Sequence, residues 1–287
     1  MDAIREGGGV VGLESVVFTH GLPHDQGLTA AFSAEDEVRS AGGTPATCAI
    51  VDGTAIIGLT RAEIANLSRD SPPKANGSSM IASMGLGKSA ALTAGATVRL
   101  CHASGISVVA TGGIGGIHRG SGFDVSSDLH VLCTCPVIVV CSGAKIILDL
   151  HRTFEILETL EIITVGFRCS TAPGFYIRDT GIPLSDTAES IDDIVKIWQA
   201  ARVLNHPASL LILNPPPKEH TFSPSKIEDI LTDIERESTG SVRGKDVTPV
   251  ILSRIQNALG PTAITLNREL LRSNARLAAE ISVALRQ

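Results

Sequence analysis

Short runs of β-branched and other apolar residues alternate along this chain with longer segments in which apolar residues recur every three or four positions. The first pattern is typical of buried strands and the second of amphipathic helices. Strands are predicted at 10–13, 46–51, 107–110, 137–140, 162–166 and 210–213. Helices are predicted at 28–41, 61–67, 90–103, 146–159, 191–204, 225–237, 249–259 and 266–285. This alternation predicts an α/β fold with a largely parallel sheet and helices on both faces.

Two connections stand out between the predicted elements. Residues 173–186 form a long irregular stretch, and Asn214-Pro215-Pro216-Pro217 is a rigid turn because each proline fixes φ and lacks a donor. Neither is polar enough for a flexible linker, and 43% of the residues are hydrophobic, which is enough for a sizeable core. Residues 1–287 are therefore predicted to form a single domain.

Composition narrows the class of partner. Aromatic residues make up only 3% of the chain and the formal net charge is −6, so there is little material for stacking bases or attracting phosphate backbones. The most apolar window, 131–148, is interrupted by Pro136, Gly143 and Lys145, which argues against a membrane span. We expect no nucleic-acid or membrane partner, and small molecules and other copies of the chain instead.

The six cysteines indicate the compartment. Their spacing fits no zinc pattern, and several lie in apolar, strand-like runs where a free thiol behaves as a small hydrophobe. We interpret them as reduced core thiols, which are typical of a reducing compartment. No apolar signal segment is visible at the start of the sequence, so a cytoplasmic location is expected.

A glycine-rich segment, Thr111 to Gly120, follows the predicted strand at 107–110 and contains five glycines in ten residues. Such a loop at the carboxyl end of a strand is where an α/β protein commonly binds a phosphorylated small molecule. His118 and Arg119 place a titratable ring and a permanent cation beside it. A tight turn with two surface side chains is the alternative. The segment is not a dinucleotide motif, because His118 occupies the third glycine position.

Two further segments carry candidate catalytic groups. Glu14 ends the first predicted strand, where partial burial would raise its pKa and suit it to donate a proton; a capping or ion-paired glutamate is the alternative. Lys145 follows a core strand and Gly143, so burial would favour the neutral amine that forms Schiff bases. The alternative for Lys145 is a surface lysine at a helix start.

A third segment, Phe123 to Asp128, supplies two carboxylates and two hydroxyls. These hard oxygen ligands suit Mg²⁺ or Mn²⁺ with several bound waters. The segment also reads as a helix start, with Ser126 or Ser127 as the N-cap and Asp128 in the first turn. Both interpretations can hold together, since a helix N-terminus also binds phosphate.

Taken in chain order, these motifs resemble the pseudouridine-5′-phosphate glycosidase family, also called indigoidine synthase A-like. The resemblance extends from about residue 10 to 285. The matching segments are Leu13-Glu14-Ser15, Thr19 to Pro23, Pro45-Ala46-Thr47, Gly58-Leu59-Thr60, Ala110 to Gly120, Phe123 to Leu129, Gly143-Ala144-Lys145 with Leu148-Asp149-Leu150, Asn214-Pro215-x-Pro217, Gly244-Lys245 with Thr248-Pro249, and Asn274-Ala275 with Leu277-Ala278-x-Glu280-Ile281.

The resemblance implies a lyase-type enzyme of nucleotide metabolism that reversibly splits pseudouridine 5′-phosphate into uracil and ribose 5-phosphate. Carbon is a poor leaving group, so an amine nucleophile must form an iminium at C1′ of the opened ribose to accept electrons. Lys145 matches the family's lysine and Glu14 its proton donor. The resemblance also implies Mn²⁺ at Asp124, a three-layer α/β/α fold and a homotrimer.

Substrate contacts carry over from the family one position at a time. The resemblance implies such contacts for Lys74, Ala94, His118, Ser126, Ser127, Asp128 and Asn267.

The chain departs from the family pattern after Lys74. The family continues Val-Ser-Arg-Arg-Asp, whereas this chain has Ala75-Asn76-Gly77-Ser78-Ser79 and so lacks two arginines and a carboxylate. Ser273 also replaces one of two paired asparagines. The altered segment keeps one alternative open, a sugar-phosphate-binding protein of the same fold without turnover. A second alternative is another Schiff-base lyase, which would use Lys145 on a sugar phosphate and need no nucleobase pocket.

Overall fold

The computed structural model of the chain describes residues 8–120, 123–237, 254–255 and 257–286. Its strands are β1 Val10–Leu13, β2 Thr44–Val51, β3 Thr54–Ile57, β4 Lys74–Ala75, β5 Ala90–Leu92, β6 Val108–Ala110, β7 Ile138–Cys141, β8 Ile163–Phe167, β9 Asp186–Ala188 and β10 Leu210–Leu213. Its helices are α1 Val16–Thr19, α2 His24–Ser40, α3 Arg61–Asp70, α4 Gly77–Gly85, α5 Ala94–Ala103, α6 Ser127–Leu132, α7 Leu150–Thr159, α8 Ile191–Val203, α9 Pro224–Glu237 and α10 Pro261–Ala284, with a 3₁₀ turn at Lys218–His220.

The strands form one sheet in the order β4-β5-β2-β1-β6-β7-β10-β8-β9, with β3 beside β2. In this order, each strand from β2 to β9 pairs in parallel with the next one. The pairs of β2 with β3 and with β5 are antiparallel. The next strand along the chain, β2, lies on one side of β1, and β6 lies on the other side of β1. The sheet therefore has a topological switch point between β1 and β6, where α/β proteins bind ligands at the carboxyl ends of the strands.

Alternate residues of the central strands face two separate cores. Val109 and Val139 pack into the core beneath α5 and α6, whereas Val108 and Val140 pack into the core formed with α2, α8 and α10. Strands that are buried on both faces require apolar residues at successive positions, which explains the continuous apolar runs in the sequence. The fold is the predicted three-layer α/β/α arrangement with a mostly parallel sheet.

The predicted strands are confirmed within about two residues at each end. The prediction of a helix at 90–103 is wrong at its start, because 90–92 is the strand β5 and the helix begins after its N-cap Thr93. The predicted helix at 146–159 begins instead at Leu150, where the side chain of Asp149 accepts a hydrogen bond from the backbone N–H of Arg152 at 3.1 Å. The short elements β3, β4, β9, α4 and α6 carry too few residues for a clear periodicity.

Two helices are predicted near the end of the chain, and the structure describes one of them fully and the other in part. The last helix begins at Pro261, earlier than predicted, with proline in its first turn. The predicted helix at 249–259 lies partly outside the described residues, and 254–255 and 257–259 are helical. The motif segments Gly244-Lys245 and Thr248-Pro249 lie outside the described residues as well.

All six cysteines are free thiols, and Cys48, Cys101, Cys135 and Cys141 are buried. Burial raises the pKa of the Cys141 thiol to about 12, so it stays protonated beneath the glycine-rich segment. No helix in the described part of the chain is long and apolar enough to cross a membrane.

Candidate active site

A cavity of about 270 Å³ opens at the carboxyl ends of β1 and β6, at the switch point of the sheet. Its walls come from segments that are far apart in the sequence and that the parallel strands bring to one edge. The lining residues are Glu14, Val16, Lys74, Asn76, Thr93, Gly115, His118, Asp124, Val125, Ser126, Ser127, Asp128, Lys145 and Leu148.

Glu14 follows β1 directly and is only 8% exposed. The hydroxyl of Thr111, the first residue after β6, donates a hydrogen bond to its carboxylate, and so does the backbone N–H of Gly112. Burial raises the pKa of Glu14, while the Lys145 ammonium and the Thr111 hydroxyl oppose that rise. A carboxyl group with a raised pKa holds its proton nearer neutral pH and is suited to act as a general acid.

Lys145 lies in the turn that follows β7 and lines the same cavity as Glu14. The turn depends on Gly143, whose φ is +89°, and a Cβ there would lie 1.9 Å from the carbonyl oxygen of Pro173. The alternative of a lysine at a helix start is wrong, because α7 begins only at Leu150. Lys145 is partly buried and close enough to Glu14 to affect its pKa.

The glycine-rich segment is held against two helices by Asp128. Its carboxylate accepts hydrogen bonds from the backbone N–H of Gly95 at 3.0 Å and of Gly115 at 2.9 Å. A Cβ on Gly115 would lie 2.2 Å from the Ser126 hydroxyl, so only glycine allows this close approach. Asp128 also raises the pKa of Glu14, so a second carboxylate lies near that residue.

Three helices begin at the cavity wall. Asn76, Thr93 and Ser126 are the N-caps of α4, α5 and α6, and all three line the cavity. Helix N-termini carry partial positive charge, and Lys74 adds a full charge beside them. Burial and the Lys74 ammonium also lower the pKa of His20 at this side. This wall suits an anionic group such as a phosphate.

The altered segment after Lys74 retains a helix start. Asn76 accepts hydrogen bonds from the backbone N–H groups of Ser78 and Ser79 at 3.1 and 3.0 Å, and the Ser79 hydroxyl accepts one from the backbone N–H of Asn76 at 2.9 Å. These bonds form a reciprocal capping box. Ser79 therefore caps the helix from its third position, so α4 keeps a capped N-terminus without a carboxylate there.

His118 and Asp124 lie together at the edge of the cavity. The ring Nδ1 of His118 is 3.2 Å from Asp124 Oδ1, and the side chain of Asp124 is 51% exposed. Ser126 is the N-cap of α6 and Asp128 lies in its first turn, so the helix-start interpretation of this segment is confirmed. The same residues line the cavity, as the ligand-binding interpretation requires.

Some predicted positions lie outside the cavity lining. Arg119 turns away and forms a two-point ion pair with Glu228 of α9, with both N–O distances 2.9 Å. Ala94 is buried as the first residue of α5, next to the lining residue Thr93. Asn267 is 3% exposed within α10, and within the described part of the chain its Oδ1 has no hydrogen-bond partner.

Sequence reasoning did not assign roles to Thr111 or to Asn274 of α10. Thr111 contacts Glu14, and the buried amide of Asn274 donates to the carbonyl oxygen of Thr111 at 2.9 Å. The position of Thr111 directly after a strand was the available signal. Asn274 had no local signal, because an asparagine within a helix reveals nothing about the strand ends it contacts.

Comparisons with known proteins agree with this architecture. The sequence model of the family described as "Indigoidine synthase A like protein" matches residues 1–284. A protein from Kosmotoga olearia named pseudouridine-5′-phosphate glycosidase is 37% identical over 278 residues, covering 96% of each chain. One of the same name from Gemmatimonas aurantiaca is 38% identical over 287 residues, covering 99% of this chain and 94% of the relative.

Two solved structures share the fold. An indigoidine synthase A-like protein from Thermotoga maritima superposes with a TM-score of 0.93 at 36% identity, covering 98% of this chain and 94% of that one. The prealnumycin C-glycosynthase AlnA, solved in complex with ribulose 5-phosphate, has a TM-score of 0.89 at 29% identity. The match covers 99% of this chain and 94% of that one. The match to the family over nearly all of the sequence, with the shared fold, shows that this chain belongs to the indigoidine synthase A-like family.

Proposed function

We propose that this chain is an enzyme that reversibly cleaves the C–C glycosidic bond of pseudouridine 5′-phosphate into uracil and ribose 5-phosphate. The observation that carries the proposal is the placement of Glu14 and Lys145 in one cavity at the sheet's switch point. The names of the curated relatives support the substrate, and the C-glycosynthase with bound ribulose 5-phosphate supports a phosphosugar at this fold.

In the proposed reaction, Nζ of neutral Lys145 bonds to C1′ of the ribose as the C1′–O4′ bond breaks, and Glu14 gives its proton to O4′. The ionised Glu14 then takes one proton from the positively charged nitrogen, whose lone pair forms C1′=N as the bond from C1′ to uracil C5 breaks. C5 keeps the electron pair of that bond and takes up the proton from Glu14. Water hydrolyses the iminium to ribose 5-phosphate and frees the lysine. The buried carboxyl group of Glu14, whose pKa is raised by burial, fits the first of these steps.

The electropositive wall formed by Lys74 and the three helix N-termini is proposed to bind the 5′-phosphate. Ser126 and Ser127 would add hydroxyl contacts, while the carboxylate of Asp128 holds the glycine-rich segment in place through Gly95 and Gly115. Because the family's two arginines are absent, Lys74 would supply the positive charge of this wall. The predicted contacts of Ala94 and Asn267 with substrate remain proposals.

Asp124 is the residue proposed to hold Mn²⁺. Its half-exposed carboxylate at the edge of the cavity fits a hard cation that keeps several waters. No group of three or more metal-ligating side chains occurs among the described residues, so water and substrate would supply the other ligands. A metal bound here would polarise and orient the substrate.

Uracil release tests the proposal directly. The purified chain with Mn²⁺ is expected to release equal amounts of uracil and ribose 5-phosphate from pseudouridine 5′-phosphate, and EDTA is expected to abolish this release. Pseudouridine without the phosphate is the control substrate, because it lacks the group that Lys74 would bind, and its turnover is expected to be far slower. Folded protein that releases no uracil with Mn²⁺ would contradict the proposal.

We further propose that the chain forms a homotrimer. Three apolar side chains on or just after α4, those of Ile81, Met84 and Leu86, are 57%, 39% and 67% exposed. Exposed apolar clusters of this kind commonly mark protein interfaces, and α4 begins at the cavity. A subunit contact here would place the partner beside the phosphate-binding wall.

Light scattering measures the mass of the oligomer in solution. The expected mass is three times the 29.9 kDa of one chain. Glutamate at both Ile81 and Leu86 is expected to yield monomers, since two buried charges would oppose the contact. Val203→Glu is the matched control, because Val203 is 81% exposed at the far end of α8. A monomeric unmutated chain would overturn the proposal.

A further inference from the structure

A buried polar cluster lies behind the cavity, at the carboxyl ends of three central strands. At its centre is Asn274, which is fully buried in α10. Its Nδ2 donates to the Thr111 carbonyl at 2.9 Å and to the Ser142 hydroxyl at 3.1 Å, and its Oδ1 accepts from Asn214 Nδ2 at 2.9 Å. Thr111, Ser142 and Asn214 directly follow β6, β7 and β10.

The bond to Thr111 acts on the proton donor through a single peptide unit. The Thr111 carbonyl accepts from Asn274, while the Gly112 N–H of the same peptide donates to Glu14. A trans peptide is planar and its C=O and N–H point in opposite directions. The orientation of the carbonyl, set by Asn274, therefore sets the direction of the N–H that meets the carboxylate.

The bond to Ser142 connects the same amide to the lysine. Ser142 begins the turn that carries Lys145, and its own N–H donates to the carbonyl of Gly112 at 3.0 Å. Asn274 thus contacts both the residue that hydrogen-bonds Glu14 and the first residue of the turn that carries Lys145. It does not line the cavity, so a substrate would not touch it.

We propose that Asn274 is a positioning residue for the reaction, which orients Glu14 and the Lys145 turn from behind the cavity through the Thr111–Gly112 peptide and Ser142. This inference rests on the roles of Glu14 and Lys145 in the proposed function.

The charged groups that face Glu14 are Lys145 from the turn after β7 and Asp128 from α6, and the Cys141 thiol lies near it on β7. Asn274 carries no charge and acts only through the donors it orients. The Gly112 N–H stabilises the ionised carboxylate, so its loss raises the pKa of Glu14 further. The alkaline limb of the rate profile is then expected to move to higher pH, because Glu14 acts while protonated.

The test compares Asn274→Leu, which keeps the branching of the side chain but has no donor, with the unmutated chain. We expect kcat for uracil release to fall at least about tenfold, because small displacements of reacting groups have large effects on rate. KM is expected to stay unchanged, and the alkaline limb is expected to shift upward. Ser282→Ala is the matched control, since that buried hydroxyl of the same helix donates to the Val10 carbonyl at 3.2 Å, at the opposite end of β1.

The control is expected to lose some stability and to keep kcat and the pH profile. A folded Asn274→Leu variant with unchanged kcat and an unshifted limb would overturn the inference. If that variant does not fold, Asn274→Ser takes its place, because serine is smaller and keeps a polar group. The same two quantities, kcat and the pH of the alkaline limb, then test the inference. An unmutated chain that releases no uracil would instead contradict the proposed function, so the two failures are distinguishable.

Discussion

Lys145→Ala is expected to lower kcat for uracil release by about 10⁴-fold or more, because the side chain that forms the covalent bond to C1′ is removed. Substrate should still bind, since Lys74 and the three helix N-termini remain in the cavity lining. Borohydride treatment with ribose 5-phosphate is expected to trap a covalent adduct in the unmutated chain and none in the variant.

The control for this experiment is Lys88→Ala, which removes an exposed lysine outside the cavity. It should retain both turnover and adduct formation. Turnover by a folded Lys145→Ala variant at a rate near that of the unmutated chain would exclude the iminium mechanism. Intact trapping without uracil release in the unmutated chain would favour the other Schiff-base lyase.

Glu14→Gln is expected to slow the reaction by about 10²-fold or more, as general-acid groups typically contribute that much. Glutamine has nearly the same shape but cannot donate a proton to O4′. Burial raises the pKa of Glu14, so the unmutated enzyme is expected to stay active to a higher pH than an ordinary carboxyl group would allow. The rate of the unmutated enzyme should fall as pH rises through the pKa of Glu14. The Glu14→Gln variant should not show this decrease.

The same substitution is expected to change stability in a predictable direction. The folded chain binds the Glu14 proton more tightly than the unfolded chain, where the pKa is about 4.5. Folding is therefore penalised once pH rises above that value, and the penalty stops growing above the folded-state pKa. Glu14→Gln should stabilise the protein at neutral pH, and this gain should vanish below the unfolded pKa in denaturant titrations at several pH values.

Glu35→Gln provides a matched control for Glu14. Glu35 is also buried and accepts a hydrogen bond from the Thr47 hydroxyl at 2.7 Å, but it pairs with Arg39 and does not line the cavity. The control should lose stability and keep its rate and pH profile. Equal effects of the two substitutions on kcat would remove Glu14 from the role of proton donor.

Much of the fold could be predicted because its central strands are buried on both faces. A strand such as Leu210–Leu213 must then be apolar at every position, and the run is visible without further context. The sequence wrongly predicts helix for the strand Ala90–Leu92, because a short alanine-rich run shows neither the helical nor the strand period. The strand's pairing partner, Ile50, is 40 residues away from Ala90. Only the capping residue Thr93 separates it from the helix that follows.

The two residues proposed to react could be named from the sequence because their chemistry is local. Glu14 and Lys145 each follow an apolar strand, and parallel strands deliver their carboxyl ends to one edge of the sheet. Their surroundings are not local. Burial in the packed fold raises the pKa of Glu14. The hydrogen bond from Thr111 that opposes this rise joins residues 97 positions apart.

Chemical identity and order along the chain thus establish the α/β class and the family, and they predict the two reacting groups. Three features depended on packing: the convergence of the N-caps Asn76, Thr93 and Ser126 on one wall, the departure of Arg119 to Glu228, and the contact of Asn274 with Thr111. Each joins segments that have no common local pattern. Hydrophobic periodicity specifies which face of an element is buried, whereas the distances between polar side chains appear only when the elements are packed together.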